Sequence, residues 1–184
     1  MKSFADFLKE EAEAEGAKLK HIHHAEDRPL MHGSEGFTHT HGALTQAHEH
    51  MKSGGKSSGL TMKYDGSPSV VYGHHPESGK FFVASKSAFN KNPKINYTHE
   101  DIEKHHGHAP GLVTKLKSAL DHLPKVAPKK GVYQGDIMHS GDVKHEKGGV
   151  SFKPNTITYT AKGEQAEAHK KAKLGVVTHT KYEG

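Results

Sequence analysis

The sequence predicts an α+β fold in which antiparallel or mixed sheets are flanked by helices. Short apolar clusters recur along the 184 residues, which indicates a globular chain although hydrophobic residues make up only 32% of it. Segments with strand periodicity and segments with helix signals follow one another without regular alternation, and no internal repeat is visible. Together these observations favour the α+β class.

The first 54 residues are predicted to form a helical, histidine-rich lead-in that packs on the core. Ser3 is suited to cap a first helix that ends at Gly16, and a second helix is expected around residues 42–51. The stretch MKSGGKSSG then leads into residues 55–184, which we assign to the core. We expect both parts to belong to one domain.

Turn residues and period-two alternation predict the strands of the core. Residues 60–64 form one strand, residues 65–68 form a turn, and a hairpin of SVVYG and KFFVASKS follows. Thr98 is placed to cap a helix, and Pro124 to end another. The remaining strand segments are VYQGDIM, VSFKPNTITYTA and LGVVTHTKY, with the helix EQAEAHKKAK before the last of them.

Charge and composition restrict the classes of function. The chain carries a net charge of +5 with one arginine among its 26 Lys and Arg residues, a diffuse lysine charge that favours phosphate-bearing partners. The absence of cysteine excludes disulfides, zinc-thiolate sites and cysteine nucleophiles. No apolar run reaches membrane-spanning length, and the N-terminus carries acids where a secretory signal has an apolar stretch. We therefore expect a cytoplasmic protein with no membrane partner.

Histidines raise the alternative of a metal-binding protein. The chain has 19 of them, clustered in segments such as HIHH at residues 21–24 and HHGH at residues 105–108. None forms H-E-x-x-H, and most lie in polar, turn-rich surroundings that are typical of solvated surface histidines. Because the clusters are numerous, metal binding by a histidine-rich protein remains an alternative function.

Lys63 stands in the pattern Lys63-Tyr64-Asp65-Gly66, at the end of a predicted strand. Period-two alternation puts Lys63 and Asp65 on the same side, and Gly66 allows the backbone to approach a bulky ligand. A lysine attacks phosphorus only as the neutral amine, which an apolar pocket favours by lowering its pKa. A snorkelling lysine, with a packed stem and a solvated ammonium, is the structural alternative.

K-x-D-G resembles the nucleophile motif of the covalent nucleotidyltransferases, the family of ATP-dependent DNA and RNA ligases and mRNA capping enzymes. Further along, FVASKSAF is similar to the S-K-G strand of phage RNA ligases, and VYQGDIM resembles the strand that supplies an acid, with Asp136 in place of glutamate. Longer phrases, such as KYDGSPSVVYGHHPESGKFFVASKSAFNK and FKPNTITYT, resemble tailed-phage proteins of this ligase-like superfamily. A phage protein of this kind would act in the host cytoplasm.

The resemblance implies the fold of a ligase adenylation domain and the activity of an ATP-dependent RNA or polynucleotide ligase-like nucleotidyltransferase. Lys63 would attack the α-phosphate of ATP and form a lysyl-AMP intermediate, with Thr61 and Met62 along the adenine. The acceptors would be nucleic acid ends, and RNA is favoured over DNA because no arginine follows K-x-D-G closely.

The same resemblance assigns the remaining residues of the expected site. Asp65 and Gly66 would belong to the nucleotide pocket, and Lys86 would offset the charge of the phosphates or contact the ribose. Asp136 would bind Mg²⁺, which the chemistry implies because charge develops on the departing pyrophosphate.

The sequence departs from the ligase pattern toward its C-terminus. That pattern continues with E-G-x-V and then with a strand that bears K-x-K, and neither is present in full. Lys171-Ala172-Lys173 has the second spacing but stands in a predicted helix, and Glu183-Gly184 matches only half of the first. The chain is then either a fragment truncated at its C-terminus or a catalytically incomplete module of the same fold that binds nucleotide or nucleic acid.

Overall fold

The computed structural model describes residues 25–54 and 64–182. These ranges fall into two compact units, residues 25–54 and residues 64–182. The predicted first helix, residues 60–63 of the predicted strand and the HIHH segment lie outside the described residues.

Residues 25–54 form a single long helical segment. Helix α1 spans Arg28–Lys52 and follows a short 3-10 turn at Ala25–Asp27, so it begins earlier than residues 42–51 suggested. Its helical geometry breaks at Gly33, whose φ of +56° is readily adopted only by glycine. No helix in the described ranges is both long and apolar enough to cross a membrane.

Residues 64–182 contain strands and helices that alternate irregularly, as an α+β fold requires. The strands are β1 Ser69–His74, β2 Phe81–Ala84, β3 Val132–His139, β4 Lys144–Glu146, β5 Gly149–Phe152, β6 Tyr159–Lys162 and β7 Gly175–Tyr182. The α-helices are α2 His99–His106, α3 Pro110–His122 and α4 Gly163–Lys171. Short 3-10 segments occur at Lys86–Phe89 and Leu123–Lys125.

The strands form two sheets. The four-stranded sheet has the order β2-β1-β3-β7, and the three-stranded sheet has the order β4-β5-β6. Every strand pair in both sheets is antiparallel. The antiparallel sheets and flanking helices confirm the predicted α+β class.

Helices α2 and α3 cover one face of the four-stranded sheet. Ile102 on α2 and Leu116 on α3 are fully buried against strand residues such as Val70 and Ile137. The side chain of Thr98 accepts a hydrogen bond from the Asp101 amide, and the Thr98 amide donates one to the Asp101 carboxylate. This capping box confirms the predicted start of α2.

The opposite face of this sheet has its own apolar cluster, which we call the second core. It is built from strand residues and from the segment that follows β2, namely Val71, Phe82, Ala84, Ala88, Val132 and Tyr182. Helix α4 packs on the three-stranded sheet, where Ala166 meets Val150 and Ala161. Both faces of the four-stranded sheet are therefore buried over much of their area, whereas its end near residues 69 and 136 stays partly open.

Candidate functional site

The described part of the K-x-D-G segment is fixed to the three-stranded sheet by two hydrogen bonds. The amide of Asp65 donates to the hydroxyl of Tyr159 on β6 over 2.8 Å. The side-chain amide of Asn155, in the connection between β5 and β6, donates to the Asp65 carboxylate over 2.9 Å. Both the backbone and the side chain of Asp65 are therefore held by one short stretch of chain.

The same segment is also fixed to strand β3 of the four-stranded sheet. The amide of Ser67 donates to the carbonyl of Ile137, and the amide of Ile137 donates to the carbonyl of Pro68, both over 3.0 Å. Lys115 on α3 donates its ammonium to the carbonyl of Ser67 over 2.7 Å. The segment therefore bridges the two sheets and a helix, which restricts its backbone from several sides.

Gly66 lies directly against β3. A Cβ on this residue would come within 2.6 Å of the Cβ of Asp136 and 3.0 Å of the carbonyl oxygen of Ile137. At such distances an added Cβ would overlap these atoms, so the turn or the strand would have to shift. Because Gly66 has no side chain, the backbone of the K-x-D-G segment can approach the backbone of β3 closely. The motif therefore lies beside Asp136, the predicted metal ligand.

Tyr64, the residue after Lys63, begins a series of ring contacts. Its ring centroid lies 5.7 Å from that of Tyr159, which stacks on Phe152 at 5.8 Å. Phe152 in turn lies 4.8 Å from the ring of His169 on α4. Aromatic pairs at these separations are attractive beyond their buried area. Thr61, Met62 and Lys63 themselves lie outside the described residues.

Asp136 stands near the middle of β3, with its side chain 21% exposed. Across the sheet it pairs with Ser69 of β1 and Val177 of β7. The register of β3 with β7 shifts between Gln134 and Gly135, and a bulge of this kind redirects side chains. The Nε2 atom of His179 on β7 lies 3.8 Å from a carboxylate oxygen of Asp136.

Polar residues beside Asp136 form a continuous series of hydrogen bonds. The side-chain NH₂ of Gln134 donates to the Ser69 hydroxyl over 3.0 Å. The side-chain oxygen of Gln134, Oε1, accepts a hydrogen bond from the hydroxyl of the buried Tyr182. These contacts join β1, β3 and β7 below the open end of the sheet. The surroundings of Asp136 are therefore held in one arrangement by three strands.

Lys86 is exposed, at the start of the 3-10 segment after β2. It comes two residues after Ala84, the last residue of β2, which pairs with Val71 of β1, so the chain leaves β2 toward the end of the sheet where Ser69 lies. Because Ser69 pairs with Asp136, Lys86 and Asp136 lie at the same end of the sheet.

Comparison with known families assigns the chain over most of its length. Residues 19–184 match the model of DUF6267, a family of unknown function. The chain belongs to this family. Comparisons with curated proteins and with solved structures give no match.

The carboxylate of this DUF6267 chain at position 136 suits Mg²⁺ held jointly with phosphates. Mg²⁺ keeps several waters and usually takes one or two protein carboxylates together with substrate phosphates. A single, partly exposed carboxylate such as Asp136 fits that demand. Within residues 25–54 and 64–182, no group of three or more His, Asp or Glu side chains could hold a metal ion by itself.

A buried and a partly buried histidine of the DUF6267 chain lie near the aromatic series. His139, at the end of β3, is 1% exposed, and its Nε2 atom lies 3.0 Å from Nδ1 of His169. Burial, followed by the neighbouring His169, lowers the pKa of His139 below its ordinary value. Because the Gly141 amide donates to Nδ1 of His139, Nε2 carries the proton of the neutral ring and donates to His169.

Sequence reasoning missed several residues around the motif, above all Asn155, Tyr159 and His179. Asn155 and Tyr159 fall within FKPNTITYT, but no local pattern marks them as partners of Asp65. His179 lies at the register shift of the β3–β7 pairing, 3.8 Å from Asp136. These are tertiary relationships between segments that are far apart in sequence.

Proposed function

We propose that this protein is an ATP-dependent polynucleotide ligase-like nucleotidyltransferase with the fold of a ligase adenylation domain. Lys63 takes AMP from ATP, and nucleic acid ends, RNA in preference to DNA, are the acceptors. The observation that carries the proposal is the contact of Gly66 with Asp136. The two motifs that resemble the ligase nucleophile and acid were identified separately in the sequence, and they meet in the fold.

The proposed reaction begins with the neutral amine of Lys63. The amine attacks the α-phosphorus, a P–N bond forms, and the bond to the departing pyrophosphate breaks as the nitrogen loses a proton to solvent. When bound, Mg²⁺ supplies positive charge for the pyrophosphate. Asp136 is the carboxylate that would hold it, and Lys86, at the same end of the sheet, adds a second positive charge for the phosphates.

Preorganisation of the loop supports this proposal. Attack at phosphorus depends on alignment of the nucleophile with the scissile bond, and an error of about 1 Å can cost about a hundredfold in rate. Asp65 is held by Asn155 and Tyr159, and Ser67 by Ile137 and Lys115. A nucleophile that immediately precedes such a constrained segment is limited in the directions from which it can approach ATP.

Mass spectrometry after incubation with ATP and Mg²⁺ tests the proposal. The wild-type chain should gain the mass of AMP through a phosphoramidate that acid breaks and base leaves intact. Lys63→Ala should abolish the adduct, and so should Lys63→Arg, because a guanidinium stays protonated and cannot attack. Lys80→Ala, at an exposed lysine in the β1–β2 hairpin, is the matched control and should keep the adduct. ATP binding without any adduct on the longest available reading frame would exclude the enzyme.

A binding module of the same fold is the second candidate, and one observation favours it. Helix α4 ends at Lys171, and Lys173 lies before β7, so the K-x-K spacing at residues 171–173 does not stand on a strand. The lysines that orient the departing pyrophosphate in the ligase pattern are then missing from a strand position. A chain of this kind would hold nucleotide or nucleic acid ends without transferring AMP.

A further inference from the structure

A cavity of about 630 Å³ opens on the face of the four-stranded sheet that is opposite to Asp136. Asp136 and Tyr133 are three residues apart on β3, so their side chains point to opposite faces. Tyr133, Tyr72 and Val176 form the floor of the cavity, and residues after α3, including Leu123 and Val126, form one wall. The volume falls in the range of sites for small organic ligands.

The floor of the cavity is apolar despite its two tyrosines. The rings of Tyr72 and Tyr133 stack with centroids 5.9 Å apart. The Tyr72 hydroxyl is hydrogen-bonded to Thr178 Oγ1 over 2.6 Å, and the Tyr133 hydroxyl donates to the carbonyl of Lys130 over 3.0 Å. Since both hydroxyls already have partners, the floor presents mainly carbon to a ligand.

The rim of the cavity is cationic. Lys125 comes from the segment after α3 and Lys173 from the connection between α4 and β7, so two separate parts of the chain converge on one opening. No acidic residue lines the cavity. Among the described residues, neither lysine forms an ion pair, and both are exposed. Val126, another lining residue, is 77% exposed and adds apolar surface beside Lys125.

We propose that this cavity is a binding site for a small organic anion, with an apolar body against the tyrosine floor and a single anionic group between Lys125 and Lys173. An apolar interior with a few charged groups at its opening is the usual construction of a small-molecule site. The charge of the rim selects anions over neutral molecules of the same shape. The site is independent of the proposed nucleotidyl transfer, because it lies on the other face of the sheet.

Two dyes of nearly the same shape test this assignment. 1-Anilinonaphthalene-8-sulfonate carries one negative charge, and N-phenyl-1-naphthylamine has the same rings without it. Fluorescence titration should show tighter binding of the anionic dye. The double variant Lys125→Glu/Lys173→Glu should weaken its binding by about tenfold or more, because attraction at the rim becomes repulsion. Binding of the neutral dye should stay within about twofold, since the apolar floor is unchanged.

The matched control is Lys80→Glu/Lys147→Glu, which makes the same change in net charge at two exposed lysines that do not line the cavity. At physiological salt it should leave the affinity of the anionic dye within about twofold, because Lys125 and Lys173 are unchanged and salt weakens the effect of exposed charges outside the cavity. Circular dichroism checks that each variant is folded, and Lys125→Ala/Lys173→Ala replaces the glutamate variant if that one is not. Equal loss in the control and the rim variant, or unchanged affinity in the rim variant, would overturn the proposal.

Discussion

Gly66 and Asp136 are in such close contact that a Cβ on the glycine would lie 2.6 Å from the Cβ of the aspartate. The Sδ atom of Met138 would lie 2.9 Å away from the same position. A side chain at position 66 would therefore overlap β3 unless the turn or the strand moved.

Gly66→Ala should destabilise the fold by about 1–3 kcal/mol, the range typical of an added methyl group in a closely packed site. The neighbours that must move are a strand Cβ and a backbone carbonyl, neither of which can rotate away. Urea denaturation measures the loss. Gly111→Ala is the matched control, because it meets open space on helix α3 and should be neutral or stabilising by up to about 1 kcal/mol. Equal stability of the two variants would contradict the packing argument.

Tyr159→Phe should loosen the K-x-D-G segment while it keeps the ring stacking. The variant removes the acceptor of the Asp65 amide, so exchange of that amide with solvent should accelerate, and stability should fall by about 1 kcal/mol. Hydrogen exchange followed by NMR is the measurement. Tyr133→Phe deletes an equivalent hydroxyl, bonded to the Lys130 carbonyl on the other face, and should leave the Asp65 amide unchanged. If both variants protect that amide as well as the wild type does, Tyr159 does not hold the segment.

Asp136→Ala should slow formation of the AMP adduct without unfolding the domain. Removal of a group near a bound metal commonly lowers metal affinity or activity by about tenfold to hundredfold. We expect the rate of adduct formation to fall by at least that much. Thermal denaturation should shift little, since the 3.8 Å contact with His179 is weak support. Asp121→Ala provides the control, because Asp121 also faces a histidine, His99 at 2.8 Å, but lies on α3 away from the loop. An unchanged adduct rate in Asp136→Ala would remove this residue from the metal site.

Stability should fall as the pH drops below about 6.5, the ordinary pKa of histidine. Burial lowers the pKa of His139 in the folded chain, so between that lowered pKa and 6.5 the unfolded chain binds more protons. The free energy of unfolding then decreases with falling pH. Burial also lowers the pKa of His106, which acts in the same direction.

Urea denaturation between about pH 7.5 and pH 5.5 measures this dependence. His139→Gln should reduce the pH dependence but not abolish it, since His106 remains. His145→Thr, at an exposed position of β4, should leave the dependence as in the wild type. A His139→Gln variant with the full dependence would assign the effect to other groups.

Nucleic acid binding, the fifth prediction, should be weak and carried by lysine contacts to phosphate. The logarithm of the affinity should then fall linearly with the logarithm of the salt concentration, by about 0.7 for each phosphate neutralised on a single strand. Fluorescence anisotropy with a short labelled RNA gives the slope. Affinity that does not change between low and physiological salt would exclude a surface that follows the phosphates.

The elements that local sequence patterns specify were predicted well. The hairpin of β1 and β2 was predictable because aromatic and β-branched clusters flank a turn that contains Gly79, at φ +67°. The start of α2 was predictable because Thr98 and Asp101 have the spacing of a capping box. Strand β4 was missed because Lys144–Glu146 is exposed and has no apolar residue, so only its pairing with β5 makes it a strand. The early start of α1 was missed because its glycines predict a break that occurs only at Gly33.

The candidate site was predictable only in part. The sequence indicated Asp65, Gly66 and Asp136 as separate points, and neither alternation nor spacing could show that Gly66 packs on Asp136. The support from Tyr159 comes from a residue 94 positions away, which no local pattern can identify. The position of Lys63 relative to Asp136 stays a prediction, since Lys63 lies outside the described residues.

The contact between Asp65 and Tyr159 has a consequence for synthesis on the ribosome. A separation of 94 residues corresponds to about 5–20 s of translation at usual rates. For nearly all of that interval the nascent chain contains the K-x-D-G turn but neither Asn155 nor Tyr159. The turn therefore lacks both partners of Asp65 until the three-stranded sheet has been translated, so its final arrangement forms late in the synthesis of each chain.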